Sequence, residues 1–304
     1  MTNPEPITAK QFKSLWKLGG LTLWQLARNV FDDISANNFL GRASELAFDF
    51  LFALFPLILL MVTLFGLFSS RSIELQSHLL FFFAAFLPPA AFQMLRASAT
   101  ELAANPRGGK MTFDIVCALW FASGGVNSMI SALNVAYRVR EARSWFKVRT
   151  LALGLMLLIS ILLLAALFFV LESSHLVEWL ATEFRFRPMV VLLWTVIRWP
   201  AAIVFVTMSY SVIYYCGPDL KERRWHWITP GSAIGASLWL LASVGFRIYL
   251  IFFNSYSALY GSIGALMILL VWLYVTGLAF LIGGEINAEI ERAATREHLE
   301  PKSQ

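Results

Sequence analysis

Six long apolar stretches, separated by short polar segments, dominate the pattern of this chain. They cover about residues 43–68, 111–136, 149–171, 190–216, 229–253 and 261–288. A helix of roughly 20 apolar residues spans the ~30 Å hydrocarbon core of a bilayer. The pattern therefore predicts an all-α integral membrane bundle of six transmembrane helices. Its membrane domain is 43–291, between an N-terminal segment, 1–42, and a cytoplasmic tail, 292–304.

The N-terminal segment, 1–42, has an amphipathic pattern. Apolar residues recur there at helical spacing, and basic residues lie between them: Phe12, Leu15, Trp16, Leu23, Trp24, Ala27 and Val30 alternate with Lys10, Lys13, Lys17 and Arg28. This pattern is typical of a helix that lies in the membrane interface. A helix packed beneath the bundle is an open alternative.

A second amphipathic segment, 72–105, follows the first predicted span. Its apolar part, 79–92, is about 14 residues long and contains Pro88-Pro89. That length is too short for a span and suits an interfacial or re-entrant segment. We expect it on the outer side, and a cap over an outer vestibule is a further possibility.

The basic residues predict the orientation of the bundle. Six spans place 16 Lys and Arg residues on the side that holds both termini and 6 on the opposite side. Cytoplasmic loops carry the excess of Lys and Arg in membrane proteins. Both termini are therefore predicted to be cytoplasmic. A seventh span at 79–99 would separate the N-terminal basic group from the later ones.

Composition and charge agree with a membrane protein. The 304 residues are 58% hydrophobic and 14% charged, whereas soluble domains carry about 25% charged residues. The formal net charge of +5 is explained by basic loops beside anionic lipid. We therefore predict membrane lipids as partners and no nucleic acid.

Five ionisable residues fall within the predicted spans: Glu45, Asp49, Arg198, Arg247 and Glu285. Such residues cost about 2.5–3.5 kcal/mol each at a helix centre, and are functional candidates by default. At ~1.5 Å per residue, the acids lie in the inner half of the bilayer and the arginines in the outer half. The arginines, Glu45 and Glu285 are close enough to an interface to snorkel. Asp49 is deeper and is expected to face the bundle interior.

Polar and small residues on other spans complete the set of candidates. Asn127 and Asn134 lie seven residues apart, on one face of the second span. Gly231 and Gly235 on the fifth span, and Gly283-Gly284 on the sixth, are typical of close helix packing. Asn287 follows Glu285 on the last span, and both are candidate substrate or proton sites.

Three stretches of the chain resemble one known family. They run from Ala47-Phe48 to Leu54-Phe55-Pro56-Leu57, from Gly124-Gly125 to Asn134-Val135-Ala136-Tyr137, and from Tyr215-Cys216-Gly217-Pro218 through Asn254-Ser255-Tyr256 to Gly283-Gly284-Glu285-Ile286-Asn287-Ala288-Glu289. In this order, over about 30–291, the chain resembles the YihY/BrkB family of bacterial inner-membrane proteins. The resemblance implies a six-helix membrane bundle. Family members have carried labels for a tRNA-processing ribonuclease (ribonuclease BN-like), for virulence and for transport of envelope lipids.

We predict no enzymatic activity, no cofactor and no metal site. His78, His175, His226 and His298 are isolated, and none belongs to a ligand-spaced cluster. A nuclease needs carboxylates and histidines, or an acid–base pair, in a site that RNA reaches. The phosphate-binding pattern Gly-x-x-x-x-Gly-Lys-Ser/Thr is also absent from the sequence.

Two functions remain. The favoured one is a transporter or translocator of an anionic lipid or envelope-related substrate, in which outer arginines hold the anion and inner carboxylates carry protons. Pro56 and Pro200 are predicted to break helices for this purpose. The alternative is a non-transporting envelope scaffold whose polar groups pair internally, for example Asn134 with Glu45. The oligomeric state is open.

Overall fold

The computed structural model describes residues 18–68, 96, 109–171, 187–220, 228–252 and 255–299. Within these residues every regular element is helical. After a 3-10 turn at Leu18–Gly20 come α1 (Leu23–Ala36), α2 (Phe39–Phe68), α3 (Gly109–Ala136), α4 (Trp145–Leu171), α5 (Arg187–Cys216), α6 (Pro230–Phe252) and α7 (Ser255–Leu299). The predicted outer segment, 72–105, lies outside the described residues apart from Arg96.

The six predicted apolar stretches each fall in one helix, from α2 to α7. Within the part of the chain that the structure describes, four helical segments are long and apolar enough to span a bilayer: Trp145–Val170, Val196–Cys216, Pro230–Tyr249 and Leu266–Thr295. The helices α2 and α3 contain 30 and 28 residues. The predicted helix breaks were wrong, because Pro56 and Pro200 both lie inside continuous helices. The last helix continues to Leu299, so part of the segment predicted as a tail, 292–304, is helical.

The helix α1 packs one face against α7. It begins with a capping box, in which Thr22 accepts from the backbone N–H of Gln25 and the Gln25 side chain accepts from the backbone N–H of Thr22. Leu26 and Val30, one turn apart, are buried with residues of α7. The described part of the segment therefore packs one face against the bundle, at α7.

The turn before α1 depends on a glycine. Gly19 has a φ of 59°, which favours glycine over residues with a side chain. A Cβ at this position would lie 2.7 Å from the carbonyl oxygen of Ile290 and 3.0 Å from the backbone nitrogen of Ala294. The absence of a side chain therefore lets the chain lie directly on α7.

A continuous apolar core connects α2, α3, α4, α5 and α7. Its largest fully buried members are Phe39, Leu46, Ile130, Leu133, Met156, Ile213, Tyr214, Phe280 and Leu281. The Tyr214 hydroxyl donates to the carbonyl oxygen of Phe280 over 2.6 Å. A buried phenol needs such a partner. This hydrogen bond joins α5 to α7 near Gly283.

The helices α6 and α7 approach closely through small residues. A Cβ on Gly283 would lie 2.8 Å from the carbonyl oxygen of Gly231 and 2.8 Å from the Cα of Gly235. This is the close packing that the spacing of Gly231 and Gly235 predicts. Side chains at these positions would force the two backbones apart.

Candidate functional site

A buried cluster of ion pairs joins α1, the loop after α3 and α7 at one end of the bundle. We define this ion-pair cluster as Asp33, Arg138, Glu285, Glu289 and Arg292. One terminal nitrogen of Arg292, Nη2, lies 2.9 Å from Asp33 Oδ2, 2.6 Å from Glu285 Oε1 and 2.7 Å from Glu289 Oε2. Arg138 binds the other oxygen of Asp33. The guanidinium group of Arg292 is thus the common partner of three carboxylates.

Helix geometry brings these groups together. Glu285, Glu289 and Arg292 follow at i, i+4 and i+7 on α7, so they share one face. On α1, Asp33 follows the buried residues Leu26 and Val30 at the same spacing. A charged residue therefore continues the apolar stripe by which α1 contacts α7.

Neighbouring polar groups satisfy most of the cluster. The Asn29 side chain donates to Glu289 Oε1 over 2.7 Å. Nη1 of Arg292 donates to the carbonyl oxygen of Ala136 over 2.9 Å. Beside them, the Asn287 side chain donates to the hydroxyl of Tyr137 over 2.8 Å. Burial raises the pKa of Tyr137 well above its ordinary value, so its hydroxyl keeps its proton. The site thereby ties the end of α3 to α7.

The charges of the cluster are not balanced pair by pair. Asp33, Glu285 and Glu289 are buried, and their oxygens approach within 4.8 Å of one another. Three carboxylates at this spacing could hold a metal ion, but the guanidinium of Arg292 already contacts all three. Glu285 is fully buried, and its Oε2 has no hydrogen-bond partner among the described residues.

The pKa of Asp33 reflects these surroundings. Burial raises this pKa, whereas the contact with the Glu285 carboxyl and the guanidinium groups of Arg138 and Arg292 lower it. The lowering effects are larger in sum, and the pKa of Asp33 lies below its ordinary value. Asp33 is therefore ionised at neutral pH.

A second polar arrangement, the loop clasp, connects the loop after α3 to the loop after α5. We define it as Asn134, Glu141, Arg143 and Asp219. The Asn134 side chain donates to Glu141 Oε2 over 2.9 Å and accepts from the backbone N–H of Asp219 over 2.8 Å. Arg143 contacts Glu141 at 2.6 Å and Asp219 at 3.6 Å. The hydrogen bonds from Arg143, more than that from Asn134, hold the pKa of Glu141 at about 2 against the burial that opposes them.

The predicted site residues are distributed over several places. Glu285 belongs to the ion-pair cluster, Asn287 lies beside it and Asn134 belongs to the loop clasp. The expected pair of Asn134 with Glu45 does not form, because both polar atoms of the Asn134 side chain bind elsewhere and Glu45 is exposed. Local loop contacts replaced the pairing expected from depth alone.

The remaining predicted residues lie away from this cluster. Asp49 is half-buried and accepts from the Ser128 hydroxyl of α3, which agrees with its expected inward position. Asn127 is half-buried on α3, and Arg247 is exposed on α6. Arg198 is half-buried on α5, lies 5.7 Å from the ring centroid of Trp199, and has a buried Nε without a hydrogen-bond partner among the described residues.

The sequence-based search missed Asp33, Arg138, Glu289 and Arg292. Two signals pointed to them. Asp33 interrupts the apolar face of an amphipathic helix, and Glu289 and Arg292 continue the face that begins at Glu285. The predicted last span ends at residue 288, so Glu289 and Arg292 fall outside it and the shared face of α7 is incomplete in the prediction.

A chain whose described regular elements are all helices, four of them with segments long and apolar enough to cross a bilayer, is an α-helical multi-pass membrane protein. The family model for virulence factor BrkB matches residues 30–304. The chain therefore belongs to the BrkB family, as its sequence motifs predicted.

Relatives of this chain carry membrane-protein or ribonuclease-like names. The ribonuclease-like protein YfkH of Bacillus subtilis (strain 168) is 29% identical over 266 residues, which are 87% of this chain and 94% of that protein. The UPF0761 membrane protein VV0203 of Vibrio vulnificus (strain YJ016) is 27% identical over 287 residues, or 91% of this chain and 83% of that one. No solved structure matches the chain.

Proposed function

We propose that this protein is a multi-pass inner-membrane translocator of an anionic lipid or envelope-related substrate. In this proposal all six helices from α2 to α7 span the membrane, both termini are cytoplasmic, and the ion-pair cluster lies at the cytoplasmic end. The proposal assigns the chain no nuclease activity, in spite of the name of its Bacillus relative.

The observation that carries the proposal is the burial of three carboxylates around Arg292. Removing ions from water costs free energy, and a buried ion pair is often no more stable than apolar residues of similar volume. Stability alone therefore gives little reason to bury this cluster at the end of an apolar bundle. Ionisable groups within membrane helices typically serve transport or proton relay, which supports a translocating function.

Arg198 supports an anionic substrate. It lies 11 residues along α5 from its start at Arg187, with a buried Nε that lacks a partner in the described part of the chain. An unsatisfied guanidinium donor is ready to bind a phosphate or carboxylate oxygen. Arg247 is exposed on α6 and provides the natural comparison.

The outer face of α1 supports its placement in the cytoplasmic interface. Leu23, Trp24 and Phe31 are between 69% and 78% exposed, and Arg28 is exposed beside them. An apolar face of this kind with a basic residue favours the boundary between headgroups and acyl chains of anionic lipid. Membrane lipids are thus the first partner that we propose.

The function is tested in vesicles that contain the purified protein and a fluorescent phosphatidylglycerol. We expect the wild-type protein to move the probe between leaflets, and Arg198→Ala and Glu285→Gln to abolish most of this movement while remaining folded. Glu45→Gln, at an exposed position, is the matched control and should keep the wild-type rate. Equal rates in wild-type, variant and protein-free vesicles would contradict translocation of this lipid class.

Native mass spectrometry of the gently solubilised protein tests binding independently. A specific anionic lipid or envelope precursor should be bound by the wild-type protein and by Arg247→Ala, but lost in Arg198→Ala. A scaffold that does not transport predicts the same bulk lipid on all three proteins.

A further inference from the structure

The carboxyl groups around the Asp33–Glu285 contact outnumber the guanidinium groups that neutralise them. The ion-pair cluster has three carboxylates and two guanidinium groups, so one negative charge is in excess if every acid is ionised. Arg138 is 52% exposed at its side chain, whereas that of Glu285 is 0% exposed. The excess charge would therefore lie in the most buried part of the cluster, where an uncompensated charge is most costly.

Glu285 is the carboxyl group with the fewest partners. Asp33 binds both guanidinium groups, and Glu289 binds Arg292 and Asn29. Among the described residues, Glu285 accepts a hydrogen bond at Oε1 from Arg292, whereas its buried Oε2 has no hydrogen-bond partner. Oxygens of Asp33 and Glu285 approach within 4.8 Å.

We propose that Glu285 binds a proton at Oε2 and shares it with Asp33, which makes the contact between α1 and α7 a proton-binding site. The proton satisfies the unpartnered oxygen, because a neutral carboxyl group donates one hydrogen bond. It also balances the cluster, which then holds two carboxylates and two guanidinium groups. The lowered pKa of Asp33 agrees with its role as the acceptor.

The groups that face this proton come from three elements. Asp33 and Asn29 lie on α1, Arg138 and Tyr137 lie in the loop after α3, and Glu289, Glu291, Asn287 and Arg292 lie on α7. Loss of the proton leaves Asp33 and Glu285 both negative and both dependent on Arg292. Their repulsion opposes the apolar contact between α1 and α7, so deprotonation is expected to release α1 from α7.

This site deepens the proposed function, since its coupling to substrate movement rests on translocation; proton binding itself does not. Infrared difference spectroscopy of the full-length protein in lipid nanodiscs tests proton binding directly. We expect the carbonyl band of a protonated carboxyl group at neutral pH in the wild-type protein and its loss in Glu285→Gln. Glu45→Gln, at an exposed position on α2 outside the cluster, should keep the band.

A second variant separates proton binding from general damage to the fold. Asp33→Asn removes one acid, so Glu285 can be ionised without excess charge, and the band should titrate at lower pH than in the wild-type protein. Absence of the band in the wild-type protein, or the same band in Glu285→Gln, would overturn the proposal. An unchanged titration in folded Asp33→Asn would overturn the sharing with Asp33.

Release of α1 is measured with spin labels at Phe31 and Ser144, which are both exposed, after Cys117 and Cys216 have been replaced by serine. We expect the distance between the labels to widen as the pH is raised, and to stay short at every pH in Glu285→Gln. A distance independent of pH in the wild-type protein would refute the release. If the probe lipid does not move but the infrared band and the distance change persist, the proposed function fails and the proton site stands.

Discussion

Arg292 is the residue on which the ion-pair cluster depends. Its Nη2 atom lies within 2.9 Å of carboxylate oxygens of Asp33, Glu285 and Glu289. No other described cation contacts Glu285 or Glu289. Arg138 contacts Asp33 alone and is half-exposed. Loss of Arg292 therefore leaves Glu285 and Glu289 without a cationic partner among the described residues, whereas loss of Arg138 leaves Asp33 still paired with Arg292.

We expect Arg292→Met to destabilise the protein by about 3–5 kcal/mol, the cost of breaking a buried ion pair and leaving its partner uncompensated. Arg138→Met should cost about 1 kcal/mol or less, because its ion pair is open to solvent. The free energy of unfolding in detergent micelles measures both. Adding Glu285→Gln to Arg292→Met should restore part of the loss, and equal effects of the two single variants would contradict this assignment.

Glu141 makes the stability of the loop clasp depend on pH in the acidic range. Hydrogen bonds from Arg143 lower the pKa of Glu141 from 4.5 to about 2. A lowered pKa in the folded state means that the ionised form contributes stability above pH 4.5, and that this contribution is lost as the pH falls toward 2. The difference in melting temperature between the wild-type protein and Glu141→Gln should therefore shrink over that range. A constant difference would show that Glu141 does not hold the clasp as a carboxylate.

Residue-level reasoning from sequence located Glu285, Asn287 and Asn134 but not their partners. Glu285 was found because an acid in an apolar stretch is conspicuous. Asp33 lies about 250 residues earlier in the sequence, in a helix whose contact with α7 no local pattern specifies. Which of two distant helices meet is decided by tertiary packing, so the cluster became visible only in the folded chain.

Among the elements, α7 contacts most of the other helices. It packs along α6 and α2 and also contacts α1 and α3. Its existence was predictable from hydropathy, since residues 261–288 are apolar. Its continuation to Leu299 was not predictable from hydropathy. The residues after Asn287 are largely polar, and the sequence alone does not show the tertiary partners that cover them. Helix ends in such regions depend on tertiary contacts more than on local propensity.

The crossing of α6 and α7 should be intolerant of any side chain. Gly283→Ala puts a Cβ 2.8 Å from the carbonyl oxygen of Gly231 and 2.5 Å from the hydroxyl of Tyr214. Overpacking of this kind costs about 1–3 kcal/mol. The thermal stability of the purified protein in detergent should fall accordingly.

Gly245→Ala in α6 is the matched control for this crossing. Its Cβ would meet no atom within 4 Å, and alanine is favoured over glycine inside a helix by about 1 kcal/mol. We expect unchanged or slightly raised stability. A loss in Gly245→Ala as large as that in Gly283→Ala would mean that the glycines act through backbone flexibility and not through close approach.

At the scale of the whole molecule, the contacts gather several distant segments at one end of the bundle. The ion-pair cluster joins the region before α2, the loop after α3 and the last turns of α7, and the loop clasp adds the loop after α5. The same four regions carry the basic groups that the charge pattern assigns to one side. We propose that alternating spans produce this gathering, and the excess of Lys and Arg predicts that it lies on the cytoplasmic side.

The predicted orientation is tested by labelling single cysteines in a protein whose Cys117 and Cys216 are serine. A cysteine at Ser144, exposed in the loop between α3 and α4, should react with a membrane-impermeant maleimide in inside-out vesicles and not in intact spheroplasts. A cysteine at Ser174, in the predicted outer loop beyond the described residues, should show the reverse. Because every apolar stretch reverses the side once, labelling of both positions from the same side would exclude α4 as a span and with it the six-span bundle. Labelling of Ser144 from outside and Ser174 from inside would keep the spans but invert the molecule, placing the ion-pair cluster and its proton at the outer surface.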